Sequence, residues 1–167
     1  IGLIIAIVAL TLTVVAALSN FTTQATNANE ISASEQALVD ALKSDDPVAR
    51  ADAALALTGA TSDVAVTALL GNLADSDPTA GHYTALALAA SDNPTVLPTL
   101  VAELKNPNDL VRQRAALALS HRDAAITVDA LIPALEDGLT AMPVAEILVN
   151  MDEEKAHNVV LAALADD

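Results

Sequence analysis

The amino-acid sequence predicts an all-α protein, an α-solenoid of about four stacked helical hairpins that is preceded by a single transmembrane helix. Apolar motifs return every 31 residues along most of the chain, which is typical of an array in which one unit cannot bury its own apolar face. Apolar residues make up 53% of the composition and aromatic residues only 1%, which favours close-packed helices over a sheet. The chain also starts with a long apolar run that carries no charge.

The run IGLIIAIVALTLTVVAAL predicts a transmembrane helix over residues 1–19. At about 1.5 Å per residue, the uncharged residues 1–18 span roughly 27 Å, enough to cross the hydrocarbon core of a bilayer and contact its lipid. A cleaved signal peptide with a small-residue cleavage site near Ala17 is the alternative. Because residues 18–42 contain no Lys or Arg, the positive-inside rule places the following domain outside the cytoplasm, in the periplasm.

A polar segment follows, residues 20–33, which is rich in Thr, Asn and Ser and has no apolar periodicity. Its composition indicates a linker between the membrane and the rest of the chain. The remaining residues, 34–167, contain the repeated motifs and are predicted to form one repeat domain.

Each repeat unit is predicted to contain two short helices. In the first unit Leu38, Val39 and Leu42 have the i, i+1, i+4 spacing of one helix, and the motif AALAL at residues 53–57 repeats this spacing on a second helix. Leucines that keep the 31-residue period are expected to fill the core between layers of helices. They form two rows, Leu42, Leu73, Leu104 and Leu135 in the first helices, and Leu57, Leu88 and Leu119 in the second.

The second helix of each of the first three units has a predicted N-cap, while the fourth unit lacks the turn motif. These caps are Asp46, Asp77 and Asn108, and the first two precede Pro47 and Pro78. An Asp or Asn side chain accepts backbone N–H bonds at this position, and proline fits the first helical position because its missing N–H has no intrahelical partner.

Prolines also indicate where the first helices of later units begin. Asn93 and Pro94 form the same cap and proline pair, which predicts the start of the first helix of the third unit. Pro133 is predicted to lie in the first turn of its helix, where a missing N–H is tolerated. The fourth unit is looser, with Leu148 two residues early, and the final half unit reads HNVVLAALADD.

The motifs DDPVARADAALAL and NDLVRQRAALAL resemble HEAT repeats, specifically the short HEAT-like units of about 30 residues that phycobilisome lyases also contain. The resemblance covers roughly Glu35–Asp167 and implies a domain that binds other proteins. The family's arginine near the start of the second helix corresponds to Arg50 and Arg112, and the resemblance implies a structural role at the turn. The second unit has Gly81 at this place, so a continuous row of arginines is not expected.

Composition and motifs argue against several classes of function. With 22 acidic against 7 basic residues and a net charge of −15, the chain lacks the basic clusters that nucleic-acid binding needs. It has no cysteine for disulfides or thiolate metal sites, and its 3 histidines lack metal-ligand spacing. Since no catalytic, calcium-loop or phosphate-loop motif is present, we expect no enzyme activity, no cofactor, no metal and no small-molecule substrate.

The sequence therefore predicts a non-catalytic, membrane-anchored scaffold, an accessory or assembly subunit of a larger membrane complex whose other subunits bind the repeats. Respiratory and photosynthetic complexes are the candidates. Two alternatives stay open. One is a lyase-like chaperone that resembles the bilin lyases, and the other is a surface adaptor whose acidic face captures a basic ligand.

Overall fold

The computed structural model describes residues 32–135, 139–151 and 154–165. Over these residues the secondary structure is helical, with no β-strand, as the sequence predicts. We number the helices in chain order: α1 Ala33–Ala41, α2 Pro47–Ala56, α3 Asp63–Gly71, α4 Pro78–Ala89, α5 Val96–Glu103, α6 Asp109–Ser120, α7 Ala124–Leu135, α8 Ala141–Asn150 and α9 Glu154–Ala165. A short 3-10 helix, Asn72–Ala74, extends α3.

The helices pair into hairpins that pack in two layers. The first helices of the units are α1, α3, α5 and α7, and the second helices are α2, α4, α6 and α8. Each second helix packs against the second helix of the next unit, while α5 packs against α7 and α7 against α9. The hairpins therefore form an α-solenoid, and the described helices from Ser34 onward belong to one compact unit.

Each predicted cap residue lies at the start of a second helix. The Asp46 carboxylate accepts the N–H of Val48 at 2.9 Å, and Asn108 accepts that of Leu110 at the same distance. Asp77 accepts two N–H groups, from Thr79 and Ala80, both at 2.9 Å. Pro47 and Pro78 occupy the first helical position after their caps.

The periodic leucines lie in the core, with one exception. Leu57, Leu88 and Leu119 are buried, as are Leu42, Leu73 and Leu104. Leu135 is only half-buried. The other leucines of its row lie just beyond the end of their α-helices, whereas α7 continues through Leu135, so the side chain is not turned into the core in the same way.

Small residues allow the second helices to approach one another. Ala54, Ala80, Ala85 and Ala115 are fully buried where these helices pack. Each leucine side chain that is removed from water at such a contact contributes about 1.5–3 kcal/mol relative to an exposed one. The motif Ala-Leu-Ala-Leu thus combines close approach of the helix axes with aliphatic filling between them.

Two helix starts differ from the prediction. The helix α5 begins at Val96 because Asn93 is buried and its amide oxygen accepts the N–H of Thr95, which holds a turn at this place. Pro133 lies in the last turn of α7, not in the first. Asp123 precedes α7 and accepts the N–H of Ala125 at 2.9 Å, so the helix starts well before the proline.

The predicted transmembrane helix, residues 1–19, lies outside the described residues, and so does the predicted linker up to residue 31. The helix α1 begins at Ala33, inside the predicted linker boundary. No helix among the described residues combines the length and the apolar character needed to cross a membrane.

Candidate interaction surface

Arg50 holds the turn between the two helices of the first unit. Its Nη1 donates to the carbonyl oxygens of Ser44 at 2.8 Å and Asp45 at 3.2 Å. Its Nε and Nη2 donate to the carboxylate of Asp75 at 2.6 and 2.9 Å, as a bidentate pair. Because Asp75 lies in the turn of the second unit, Arg50 also joins two consecutive repeats.

Arg112 has the corresponding place in the third unit. Its Nη1 donates to the carbonyl oxygen of Asn106 at 2.6 Å, and its Nη2 pairs with the carboxylate of Asp109. Asn106 occupies the position in the third turn that Ser44 occupies in the first. The arginines of both units therefore satisfy the same turn carbonyl, which is the structural role that the family resemblance implies.

In the second unit Arg114 of the next repeat makes this contact. Its Nη1 donates to the carbonyl oxygens of Leu73 and Asp75, both at 2.6 Å, and its Nη2 donates to that of Asp77 at 3.2 Å. The guanidinium lies directly over Gly81, where a Cβ atom would be 1.8 Å from the Cζ of Arg114. The turn of the second unit thus also receives an arginine, but from a different helix.

The expectation that Gly81 interrupts the row of arginines is therefore incomplete. The second unit has no arginine side chain at position 81, and the guanidinium of Arg114, a residue that is only 7% exposed, takes its place. The sequence does contain the signal for this exchange. A glycine replaces arginine in one unit, and the next unit carries an additional arginine two residues after Arg112.

A further set of polar contacts joins the loops that precede the first helices of the second and third units. Ser91 Oγ donates to the carbonyl oxygen of Ala60 at 2.6 Å. Asn93 Nδ2 donates to the carbonyl oxygen of Thr61 at 2.8 Å and to the carboxylate of Asp63 at 2.9 Å. These bonds connect the loop after α4 to the loop after α2, one repeat earlier.

Arg122 makes a similar connection between the third and second units. Its Nη1 donates to the carbonyl oxygens of Leu88, Ala89 and Ser91 at 2.8, 3.1 and 3.0 Å. The carbonyls of Leu88 and Ala89 lie at the C-terminal end of α4, where helix geometry leaves acceptors without an intrahelical donor, and that of Ser91 lies in the loop after it. Arg122 therefore caps the helix of the preceding repeat.

Burial and pairing shift the pKa values of these groups. The hydrogen bond from Arg50, assisted by the Asp77 N–H and the charges of Arg50 and Arg114, lowers the pKa of the Asp75 carboxyl. The same hydrogen bond raises the pKa of Arg50. Burial lowers the pKa of Arg114 and that of Arg122. Guanidinium groups nevertheless stay charged in proteins.

The cations of the chain are engaged in internal contacts. All 7 Lys and Arg residues lie within the described ranges. Four arginines bind backbone carbonyl oxygens. A carbonyl oxygen carries no net charge, so such a bond neutralises no carboxylate. The lysines also have partners, with Lys155 2.6 Å from Asp129, Lys43 3.9 Å from Asp40, and Lys105 engaged too. Two of the arginines also pair with carboxylates, Arg50 with Asp75 and Arg112 with Asp109. Because the chain has 22 acidic and only 7 basic residues, its net charge is −15.

One surface differs from this acidic exterior. The second helices lie side by side, and each exposes one side to solvent. We call this surface the second-helix face and define it by the row Leu55, Leu86, Leu117 and Glu146, together with Asp52 and Met142. Two of its apolar side chains are exposed, Leu55 at 51% and Met142 at 82%, whereas Leu86 and Leu117 are half-buried.

The central row of this face follows the repeat. Leu55, Leu86 and Leu117 occupy the same helix position in three consecutive units, 31 residues apart. Packed helices lie about 10 Å apart, so the three leucines extend over roughly 20 Å. Glu146 stands at the corresponding position of α8, where the unit is two residues shorter. The row is therefore apolar in three units and ends with a carboxylate.

A groove of about 390 Å³ lies between α6 and α8 on the same face. Apolar side chains of Leu117 and Ile147 line it, together with the polar side chains of Gln113, Glu146 and Asn150. Polar groups around an apolar strip are the usual arrangement of surfaces that bind other proteins.

The polar side chains of the described residues form no metal-binding cluster. No set of three or more His, Asp or Glu side chains in this part of the chain is placed to hold a metal ion. Every fully buried side-chain nitrogen or oxygen in the same part has a hydrogen-bond partner. The exposed histidines His82, His121 and His157 lie at separate places in the array.

Comparison with known families agrees with this architecture. The fold defines the class of α-solenoid proteins, in which stacked hairpins present an extended binding surface. Residues 67–142 match the family model of HEAT repeats, a range that includes Gly81 and Arg114. The match supports a HEAT-repeat protein, and HEAT repeats generally mediate protein–protein interactions; it says nothing of bilin attachment. A search of curated proteins gives no match to the chain.

Proposed function

We propose that the protein is a non-catalytic, membrane-anchored scaffold, an accessory or assembly subunit of a larger membrane complex. The observation that carries this proposal is the second-helix face. Its row of leucines, exposed at Leu55 and half-buried at Leu86 and Leu117, crosses three repeats of a strongly acidic chain. Contiguous apolar surface of this kind is uncommon on monomeric proteins and marks sites of protein interaction. The partners are other subunits of the complex.

The membrane part of the proposal is supported by the sequence. Residues 1–18 carry no charge and are long enough to cross a bilayer as a helix. Residues 18–42 contain no Lys or Arg, which favours export of the repeat domain to the periplasm. The scaffold then binds its partners on the extracytoplasmic side of the membrane.

Co-purification tests the scaffold function. The full chain is isolated from its own membranes in a mild detergent, and a stoichiometric set of membrane proteins is expected to accompany it. Leu55→Gln with Met142→Gln is expected to release these proteins, because both side chains are exposed on the second-helix face. The matched control is Val64→Gln with Ile126→Gln, two exposed apolar residues on first helices. A chain that purifies alone, or equal loss in both variants, contradicts the proposal.

Labelling tests the orientation. The chain has no cysteine, so Ser76→Cys introduces one thiol in the exposed turn before α4. A membrane-impermeant maleimide is expected to label this thiol in intact spheroplasts as completely as in lysed ones. Labelling only after lysis contradicts the periplasmic location.

A further inference from the structure

We propose that the partner segment bound by the second-helix face is a cationic amphipathic helix of another protein. This inference rests on the proposed scaffold function and names the chemistry of the partner. Three observations carry it: a leucine row that is exposed at Leu55 and half-buried at Leu86 and Leu117, exposed carboxylates at Asp52 and Glu146 on the same face, and internal contacts for the Lys and Arg residues of the chain.

Charge selects this partner. The chain carries a net charge of −15, and its arginines bind its own carbonyl oxygens, so few cations remain to neutralise a neighbouring acidic protein. A second copy of the chain brings the same negative charge to the contact and is repelled. A Lys-rich or Arg-rich segment is attracted over the whole surface, which increases its association rate and suppresses acidic competitors.

Geometry fixes the form of the segment. The leucines from Leu55 to Leu117 extend over roughly 20 Å, which an α-helix of about 14 residues covers at 1.5 Å per residue. Asp52 lies one helical turn before Leu55, and Glu146 continues the row beyond Leu117. A helix that lies along the row can therefore place apolar side chains on the leucines and cationic side chains next to Asp52 and Glu146.

Synthetic peptides test the chemistry of the partner. The probe is a fluorescent 18-residue Leu/Lys peptide with its leucines on one helical face. The controls are a shuffled peptide of the same composition and a peptide in which Glu replaces each Lys. The full chain is titrated in lauryl maltoside by fluorescence anisotropy, with protein-free micelles as the blank.

The amphipathic Leu/Lys peptide is expected to bind at least about tenfold more tightly than either control peptide. Its affinity is expected to fall between 0.1 and 1 M salt, because the screening length shortens from about 10 to 3 Å.

Paired variants locate the site. Asp52→Lys with Glu146→Lys is expected to weaken binding about tenfold, because it reverses both charges on the face. Asp45→Lys with Glu154→Lys changes the net charge equally but lies at an exposed turn and on α9, so a less than twofold effect is expected. Leu55→Gln with Met142→Gln is compared in the same way with Val64→Gln and Ile126→Gln. Circular dichroism melting of each variant confirms that it folds.

Several results overturn the inference. If the Glu peptide binds as tightly as the Lys peptide, the partner need not be cationic. If the shuffled peptide binds equally, it need not be amphipathic. If both variant pairs lose binding equally, the binding site is not the second-helix face. Light scattering that shows self-association, abolished by Leu55→Gln with Met142→Gln, assigns the face to a second copy. If co-purified membrane proteins depend on the face but no cationic peptide binds, this inference fails while the scaffold function stands. If no membrane protein co-purifies, the scaffold function itself fails.

Discussion

Replacement of Gly81 by alanine is expected to destabilise the protein, although the same change in a helix is ordinarily favourable. Alanine is better than glycine in a helix interior by about 1 kcal/mol. At Gly81, however, the new Cβ would lie 1.8 Å from the Cζ of Arg114, so the guanidinium has to leave. It then loses its bonds to the carbonyl oxygens of Leu73, Asp75 and Asp77.

The size of the effect follows from these bonds. A hydrogen bond to a charged group contributes about 1.5–3 kcal/mol, and a carbonyl left buried without a donor costs a similar amount. Because the displaced guanidinium can reach water, we count one to two such bonds, or about 3 kcal/mol, as lost. After the gain in helix propensity, the net destabilisation is about 2 kcal/mol, which lowers the melting temperature by about 4–8 °C.

Urea denaturation followed by circular dichroism measures this change, with Gly71→Ala as the control. Gly71 ends α3, and a Cβ atom there meets nothing within 4 Å, so its replacement is expected to stabilise the chain by about 0.5 kcal/mol. In an Arg114→Ala background the clash is absent, and Gly81→Ala should no longer destabilise. If Gly81→Ala stabilises the wild-type chain as Gly71→Ala does, the guanidinium does not occupy the space over Gly81 and the reasoning is wrong.

The remaining predictions concern charge and burial. Because Asp75 has a lower pKa when folded than when unfolded, its ion pair contributes stability above the unfolded pKa of about 3.9 and loses it as pH falls through the folded pKa. The difference in urea midpoint between wild type and Asp75→Asn should thus be full at pH 6 and shrink below about pH 4; a constant difference refutes the assignment. Leu88→Glu buries an unpaired charge and should cost about 3–5 kcal/mol in thermal melts, whereas the exposed Leu55→Glu should stay within about 0.5 kcal/mol. Gly81→Arg with Arg114→Ala should recover stability relative to Arg114→Ala alone, since the second unit regains the arginine that Arg50 and Arg112 supply elsewhere; no recovery indicates that the turn carbonyls do not need it.

The regular part of the fold is predictable because the same requirements, a helix cap and a buried leucine, recur in successive units. The caps Asp46, Asp77 and Asn108 and the buried leucines recur at one spacing, so each unit supports the interpretation of the others. The departures occur where a single unit differs. The hydrogen bonds from Asn93 to Thr61 and Asp63 do not recur from unit to unit, so only the structure reveals them.

The candidate surface was harder to predict than the fold. Periodicity identifies Leu55 and Leu57 equally well, since both belong to the recurring motif, yet one is exposed and the other buried. Which leucine faces the core depends on the angle at which neighbouring helices pack, and a single sequence does not contain that angle. The contacts of Arg114 are hard to predict for a related reason, because its partners lie in the preceding repeat.

The exchange of arginines between units has a consequence for engineering. Repeat proteins are often treated as interchangeable modules that can be reordered or deleted. Here the second module is incomplete, because Gly81 leaves a vacancy that the third module fills with Arg114. A truncation after α4, or a transplant of the second module into another array, would therefore remove the guanidinium that binds the carbonyl oxygens of Leu73 and Asp75. The smallest transferable block is thus the second module together with the third.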